Sequence, residues 1–208
     1  MSRELKQTWE TLCKKYTSDT ALINSLWQEL EQAYTASDRH YHTLDHLAYM
    51  LDLASKYKPD AHTYTILAFA IFYHDIVYNP TRNDNEARCA ILAAQALSKL
   101  GLSANQVDVV EEMIIATRLH QQHQNPIVNL LLDLDLAILG SDWATYDTYR
   151  KAIRLEYGMY PDAVYRSGRI SVLENFLAKP YIYQTPYFRE RLEQHARENI
   201  QKELRLLN

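Results

Sequence analysis

The stretch AFAIFYHDIVYNP, residues 68–80, indicates the fold class and raises the first chemical question. From about residue 60 to residue 78 the chain is apolar on almost every helical face, which is typical of a central buried helix. Pro80 disfavours the helical conformation of the residue before it, so we expect the helix to end there. His74 and Asp75 lie within this apolar segment, and burial of an ionisable side chain without a partner is costly. The rest of the chain must supply that partner.

Helical spacing of apolar residues continues on both sides of this segment. The expected helices cover about residues 3–16, 19–36, 44–57, 60–78, 85–100, 104–119, 126–139, 142–157, 161–178 and 186–206. Thr43 and Ser103 are suitable N-caps, and Pro126 and Gly140 frame one helix in the usual order. Alternation in LDLDLAIL, residues 132–139, would also suit a strand, but its helical flanks favour a helix. We predict one all-α domain.

Composition limits the classes of function. A chain of 208 residues can bury one sizeable core, and only 4 glycines and 6 prolines favour long helices over turn-rich sheets. The net charge of −4, without a block of like charge, argues against a nucleic-acid polymer as partner. No signal-peptide h-region and no run of about 20 apolar residues occur, so we expect a cytoplasmic protein without a membrane partner. Cys13 and Cys89, without a CxxC motif, are expected to be reduced thiols.

Six polar residues have apolar surroundings: His42, His46, His74, Asp75, His120 and Asp135. Taken singly, each has an ordinary explanation, as a core histidine bonded to a carbonyl or as an aspartate that caps a helix. A single bound metal ion would account for these buried histidines and aspartates together. Imidazole and carboxylate together are suitable ligands for Mn, Fe, Co, Ni or Zn.

Helical geometry restricts which of these residues can share one ion. His74 and Asp75 project about 100° apart on a helix, so both reach one ion only from a helix end. His42 and His46 have the spacing of two ligands on one helical face, unless Thr43 is the N-cap and His42 lies outside the helix. We favour His46 as a ligand and His42 as its neighbour.

Asp133 and Asp135 project about 200° apart on a helix, so one site can use only one of them directly. We expect Asp133→Ala to be milder than Asp135→Ala.

In this order, the residues resemble the H…HD…D pattern of the HD-domain superfamily of all-α, metal-dependent phosphohydrolases. Four longer stretches resemble a family of small proteins predicted to be such enzymes: RHYHTLDHLAYML (39–51), FYHDIVYNPTRNDNEARCA (72–90), DLDLAILG (133–140) and PYIYQTPYFRERLEQHARENI (180–200). The resemblance spans about residues 39–200.

The resemblance implies a fold and a ligand set. It implies an HD-type helical bundle of about 8–10 helices over residues 1–208, with a core at about 39–140 and C-terminal helices at 142–206. His46, His74, Asp75 and Asp135 match the four ligands of a divalent transition metal. Asp135 is preferred to Asp133 because it occupies the place of the superfamily's aspartate.

His120 stands where some relatives carry an additional histidine, for a second metal or for phosphate. The other histidine of binuclear members has no clear counterpart, so we expect one ion.

Catalytic roles can be assigned to residues near these ligands. Asp75 would position a water or accept its proton, and Arg39 and Arg82 would grip phosphate through their guanidinium groups. Glu86, beside Asn85, would act as a general acid or base or orient a ligand histidine. The ordinary alternatives are a capping role for Glu86 and solvated surface positions for the arginines.

Several of the 16 tyrosines, among them Tyr41, Tyr73 and Tyr78, flank the ligands. They could stack on a base, although a core or dimer-interface role is more usual. The aromatic residues of the C-terminal third suggest a homodimer.

We expect hydrolysis of a small phosphorylated metabolite or nucleotide. Two alternatives remain: a di-iron oxygenase, which needs more histidine ligands, and a non-catalytic ligand-binding or interaction protein that keeps the metal.

Overall fold

The computed structural model describes residues 2–207, which form ten α-helices and one 3-10 helix and no strand. The helices are α1 Ser2–Cys13, α2 Thr20–Tyr34, α3 Leu44–Tyr57, α4 Ala61–Tyr73, α5 Asn85–Leu100, α6 Ala104–Ala116, α7 Pro126–Asp135, η1 (the 3-10 helix) Leu136–Gly140, α8 Trp143–Glu156, α9 Asp162–Ala178 and α10 Pro186–Leu207. The prediction of an all-α chain is confirmed. Over residues 2–207, each helix is too short or too polar to cross a membrane.

The chain forms two compact units that meet in sequence at His120 and Gln121. The first contains α1–α6 and the second contains α7–α10 and η1. This boundary between the two units falls inside residues 39–140, which the sequence predicts as the core of one domain. The assignment of one HD-type domain to residues 1–208 stays a prediction.

Helix α4 is the centre of the first unit, because every residue from Thr65 to Tyr73 is buried. The ring of Trp9 in α1 meets Phe69 and Phe72 edge-on, with centroids 5.8 and 5.4 Å away. Full burial of such a side chain contributes about 1.5–3 kcal/mol, so this helix is anchored on all sides. Its C-terminal end therefore holds a fixed position for the residues that follow.

Helix α4 ends at Tyr73, earlier than the predicted end near residue 78, and His74 is its C-cap. Beyond His74 the N–H of Ile76 still donates to the Tyr73 carbonyl at 3.2 Å, but the N–H groups on either side of it find partners outside the helix. The N–H of Asp75 donates to the Tyr34 hydroxyl at 3.2 Å, and that of Val77 donates to the Cys89 sulfur at 3.3 Å. The turn formed in this way carries the side chain of Asp75 off the helix.

Helix α6 also ends early, at Ala116 instead of about residue 119. The residues after it form a turn, and His120 has a φ of 46°, in the left-handed region that a non-glycine residue rarely adopts. His120 thus follows the helix and does not belong to its last turn.

In the second unit, the helix expected at 126–139 is divided: α7 ends at Asp135 and continues as η1. Side chains from other parts of the second unit donate hydrogen bonds to backbone carbonyls that have no donor within the helix at its end. The Tyr183 hydroxyl donates to the Leu136 carbonyl at 3.1 Å, and the Asn199 amide donates to the Leu139 carbonyl at 2.9 Å. A β-carbon at Gly140 would lie 2.6 Å from that of Leu192, so this glycine allows α10 to approach η1.

Candidate metal centre

His46 lies in the first turn of α3 with only 3% of its surface exposed. Thr43 is the N-cap, as predicted, since its hydroxyl accepts the Asp45 N–H at 3.3 Å. His42 therefore lies before the helix, and the two imidazoles do not share one helical face. They are still neighbours, with ring centroids 5.8 Å apart.

His74 is held in one tautomer by the backbone. Its Nδ1 lies 2.9 Å from the Ile71 carbonyl oxygen, which can only accept, so Nδ1 carries a proton. Its Nε2 then faces the site, 3.1 Å from Oδ2 of Asp75. An imidazole fixed through its second nitrogen in this way is the usual arrangement of a metal-ligating histidine.

The carboxylate of Asp75 lies beside two imidazoles. Its Oδ2 is 3.1 Å from Nε2 of His74 and 3.8 Å from Nε2 of His42. The His46 and His74 rings are 5.4 Å apart between centroids. The end of α4 therefore presents His74 and Asp75 to one point, which is the geometry expected of an adjacent pair at a helix end.

Three of the predicted ligands lie together in the first unit: His46, His74 and Asp75 each offer one ligand atom, and these atoms all lie within 4.8 Å of one another. The fourth predicted ligand, Asp135, is the last residue of α7 in the second unit, and its place in the ligand set stays a prediction. Metal–nitrogen and metal–oxygen bonds of about 2.0–2.2 Å place ligand atoms on opposite sides of an ion at most about 4.4 Å apart. The ligand atoms of His46, His74 and Asp75 thus need only a small adjustment to hold one divalent ion. The Asp75 carboxylate would balance part of its charge.

Asp133 is buried and serves another purpose. Its Oδ1 accepts the Gln184 N–H at 2.6 Å, and its Oδ2 accepts the N–H and the hydroxyl of Thr185 at 2.7 and 2.6 Å. Burial raises the pKa of this carboxyl to about 6, although its hydrogen bonds act in the opposite direction. Asp133 fastens the segment before α10 to α7.

Arg39 is almost buried and its guanidinium contacts backbone oxygens. It donates to the carbonyls of His42, Asp75 and Ile76 at 3.2, 2.7 and 3.0 Å. Its predicted contact with phosphate stays a prediction, and most of its terminal N–H groups are already used.

Arg82 and Asp84 form an exposed, two-pronged ion pair with both N–O distances at 2.6 Å. The hydrogen bonds that Arg82 donates to Asp84 raise the pKa of Arg82. Because this carboxylate is engaged, Asp84 makes no side-chain cap to α5. A phosphate would have to displace Asp84 to bind the edge of the guanidinium formed by Nε and Nη2.

Asn85 and Glu86 open α5. Asn85 closes a loop, since its amide donates to the Asn79 carbonyl at 2.9 Å. Glu86 lines a cleft of about 310 Å³ on the first unit, together with Asn83, Asp84, Ala87, Ile115 and Arg118. Its role as acid or base stays a prediction.

His120 does not belong to the group formed by His46, His74 and Asp75. Of the flanking tyrosines, Tyr73 belongs to the core, where its ring lies 6.1 Å from that of Trp9. Tyr78 lies 4.2 Å from the His42 ring and Tyr41 lies 4.8 Å from the His46 ring, between centroids.

Sequence reasoning missed two residues that contact the segment around Asp75. Tyr34 binds the Asp75 N–H from α2, and Cys89 binds the Val77 backbone from α5. Neither has a local signal, because their partners lie 41 and 12 residues away in sequence. Both cysteines are unpaired thiols, as predicted, and burial raises the pKa of each to about 12.

Comparison of the chain with protein-family models, with curated proteins and with solved structures finds no match.

Proposed function

We propose that this protein is a metal-dependent phosphohydrolase of the HD type, which cleaves a phosphate ester of a small metabolite or nucleotide. The observation that carries the proposal is the grouping of His46, His74 and Asp75 around one point in the first unit, and we propose Asp135 as the fourth ligand. The order of these residues in the chain, H…HD…D, is the second support.

The donor set suits a divalent transition metal. Imidazole nitrogens and carboxylate oxygens are ligands for Mn, Fe, Co, Ni and Zn, and the fixed Nδ1 of His74 directs its other nitrogen to the site. An ion bound there supplies Lewis-acid polarisation of a phosphate oxygen and activates water as the nucleophile.

Side chains near the metal site would position the water, transfer a proton and contact the leaving group. Asp75 is 18% exposed at its side chain, so its carboxylate can reach a water as well as the imidazoles. His42, whose Nε2 is 3.8 Å from Oδ2 of Asp75, can take or give a proton beside it. Arg82 or Glu86 would meet the leaving group, and either needs a substrate pose that draws it towards the site.

The first test is elemental analysis of the purified, untagged protein beside the double variant His74→Ala, Asp75→Ala. Circular dichroism checks that both are folded. The matched control is His62→Ala, which removes an exposed histidine from the same helix as His74. We expect about one equivalent of a transition metal in the parent and in the control, and none in the double variant.

The second step offers the metal-loaded protein phosphomonoesters, phosphodiesters and nucleotides and measures released phosphate. Turnover by the parent and by His62→Ala, with none by the double variant, supports the proposal. A parent that takes up no Mn, Fe, Co, Ni or Zn overturns it. A metal-loaded parent that hydrolyses none of these esters would favour the ligand-binding alternative, and two equivalents of iron would favour the oxygenase.

A further inference from the structure

We propose that Arg39 is a positioning residue, which joins the two backbone segments that carry ligands and thereby sets the place of the Asp75 carboxylate. This inference rests on the proposed metal site, and it gives Arg39 a different task from the grip on phosphate suggested by the sequence. It concerns the first unit alone.

The guanidinium binds both segments at once. One terminal nitrogen donates to the His42 carbonyl at 3.2 Å and to the Asp75 carbonyl at 2.7 Å. The other donates to the Ile76 carbonyl at 3.0 Å. The loop that leads into α3 and His46 is thus tied to the turn that follows α4 and His74.

The peptide groups of Asp75 are held on both sides. Its N–H donates to the Tyr34 hydroxyl at 3.2 Å, while its carbonyl accepts from Arg39. Fixing both groups fixes the direction of the bond from the α-carbon to the side chain. This limits the positions that the carboxylate can reach, and in the structure its Oδ2 lies 3.1 Å from Nε2 of His74.

Two aromatic rings keep the guanidinium in place. Its central carbon lies 4.9 Å from the centroid of Tyr34 and 5.6 Å from that of Tyr78. Only 9% of Arg39 is exposed, so water competes little for these carbonyls. The planar, forked set of donors is specific to arginine. A compact lysine ammonium can still contact the rings, but it does not reproduce the spread of N–H groups towards three separated oxygens.

The test compares Arg39→Lys with a matched arginine elsewhere. Arg197 likewise donates to three backbone carbonyls, those of Leu177, Lys179 and Pro180, at 3.1, 2.8 and 3.1 Å. Arg197→Lys therefore removes a similar clamp from a segment that carries no predicted ligand. Tyr34→Phe is the second variant, since it keeps the ring and removes only the acceptor of the Asp75 N–H.

The first readout is a Co²⁺ titration followed by the visible absorption of the bound ion. Partners of metal ligands are worth about 10–100-fold in affinity, so we expect Arg39→Lys to weaken Co²⁺ binding by about that factor and to alter the spectrum. Tyr34→Phe should do so to a smaller degree, and Arg197→Lys should match the parent in both. Parent-like affinity and spectrum in Arg39→Lys would overturn the inference.

The second readout does not need the metal. Hydrogen exchange of the metal-free proteins should show lost protection in peptides covering 40–46 and 74–78 of Arg39→Lys, and in neither for Arg197→Lys. A parent that binds no Co²⁺ speaks against the proposed function. In that case the hydrogen-exchange data alone test whether Arg39 holds the two backbone segments together. Unchanged protection in both peptides would overturn the clamp in that case as well.

Discussion

Asp133 and Asp135 are two residues apart on α7, yet we assign them different roles. Asp133 accepts three hydrogen bonds from Gln184 and Thr185, whereas Asp135 is proposed as a metal ligand. From the sequence we expect Asp133→Ala to be the milder change. The structure limits this expectation to metal binding, because loss of Asp133 leaves buried donors without an acceptor.

Asp133→Asn should therefore destabilise the fold and spare the metal, while Asp135→Asn should do the reverse. In Asp133→Asn, the new amide must face an N–H or hydroxyl donor, which lowers the free energy of unfolding by about 1–3 kcal/mol. Urea unfolding and a Co²⁺ titration of both variants measure the two effects. Equal loss of Co²⁺ affinity in the two variants would show that the choice of Asp135 is wrong.

At the scale of helices, two caps share one design. Asp60 before α4 and Asp142 before α8 each accept two backbone N–H groups of the first turn and one threonine hydroxyl, from Thr63 and Thr145. The hydroxyl bond is the main reason why the pKa of each carboxyl is lowered. A lowered pKa in the folded state means that each cap stabilises above the unfolded pKa and loses its effect as the pH falls through the folded one.

The variants Asp60→Asn and Asp142→Asn should each remove this pH dependence from one helix. At neutral pH both should melt below the parent, because the neutral amide is a weaker cap than the carboxylate. The difference should shrink as the pH falls below about 3.8, the ordinary value for aspartate. Thermal melts between pH 7 and pH 3 measure it, and a gap that stays constant over this range would contradict the prediction.

Helix starts were predictable where the cap is local, as with Thr43 and Ser103, whose side chains bind the following turn. Helix ends were not. The end of α4 depends on Tyr34 and Cys89, and the end of α7 depends on Tyr183 and residues of α10. These partners are distant in sequence, and apolar periodicity carries no information about them.

For the whole molecule, candidate ligands could be named from the sequence because ionisable residues in apolar segments need compensation and because their order resembles the H…HD…D pattern. The surrounding contacts could not. Because both are arginines, Arg39 and Arg82 were both predicted to bind phosphate. In the structure Arg39 binds backbone carbonyls inside the fold, whereas Arg82 binds Asp84 at the surface. Residue type gives the chemistry of a side chain, and only the tertiary structure gives its partner.

Metal binding should also stabilise the whole protein. An ion at 100 times its dissociation constant, bound only by the folded state, adds about 2.7 kcal/mol to the free energy of unfolding. For a chain of this size, that corresponds to about 5–10 °C in Tm. Melts of the metal-free parent with and without Co²⁺ measure the shift, and the His74→Ala, Asp75→Ala variant should show none.

The bond between Asp133 and Thr185 spans 52 residues and has a consequence for the newly made chain. Ribosomes add about 5–20 residues per second, so on the order of 3–10 s pass between synthesis of this aspartate and of its partner. During that interval the leucines of α7 and η1 have been synthesised while α10, which packs against η1, has not. The first unit already has all its helices by then. The nascent second unit is thus the segment that a chaperone would meet uncovered.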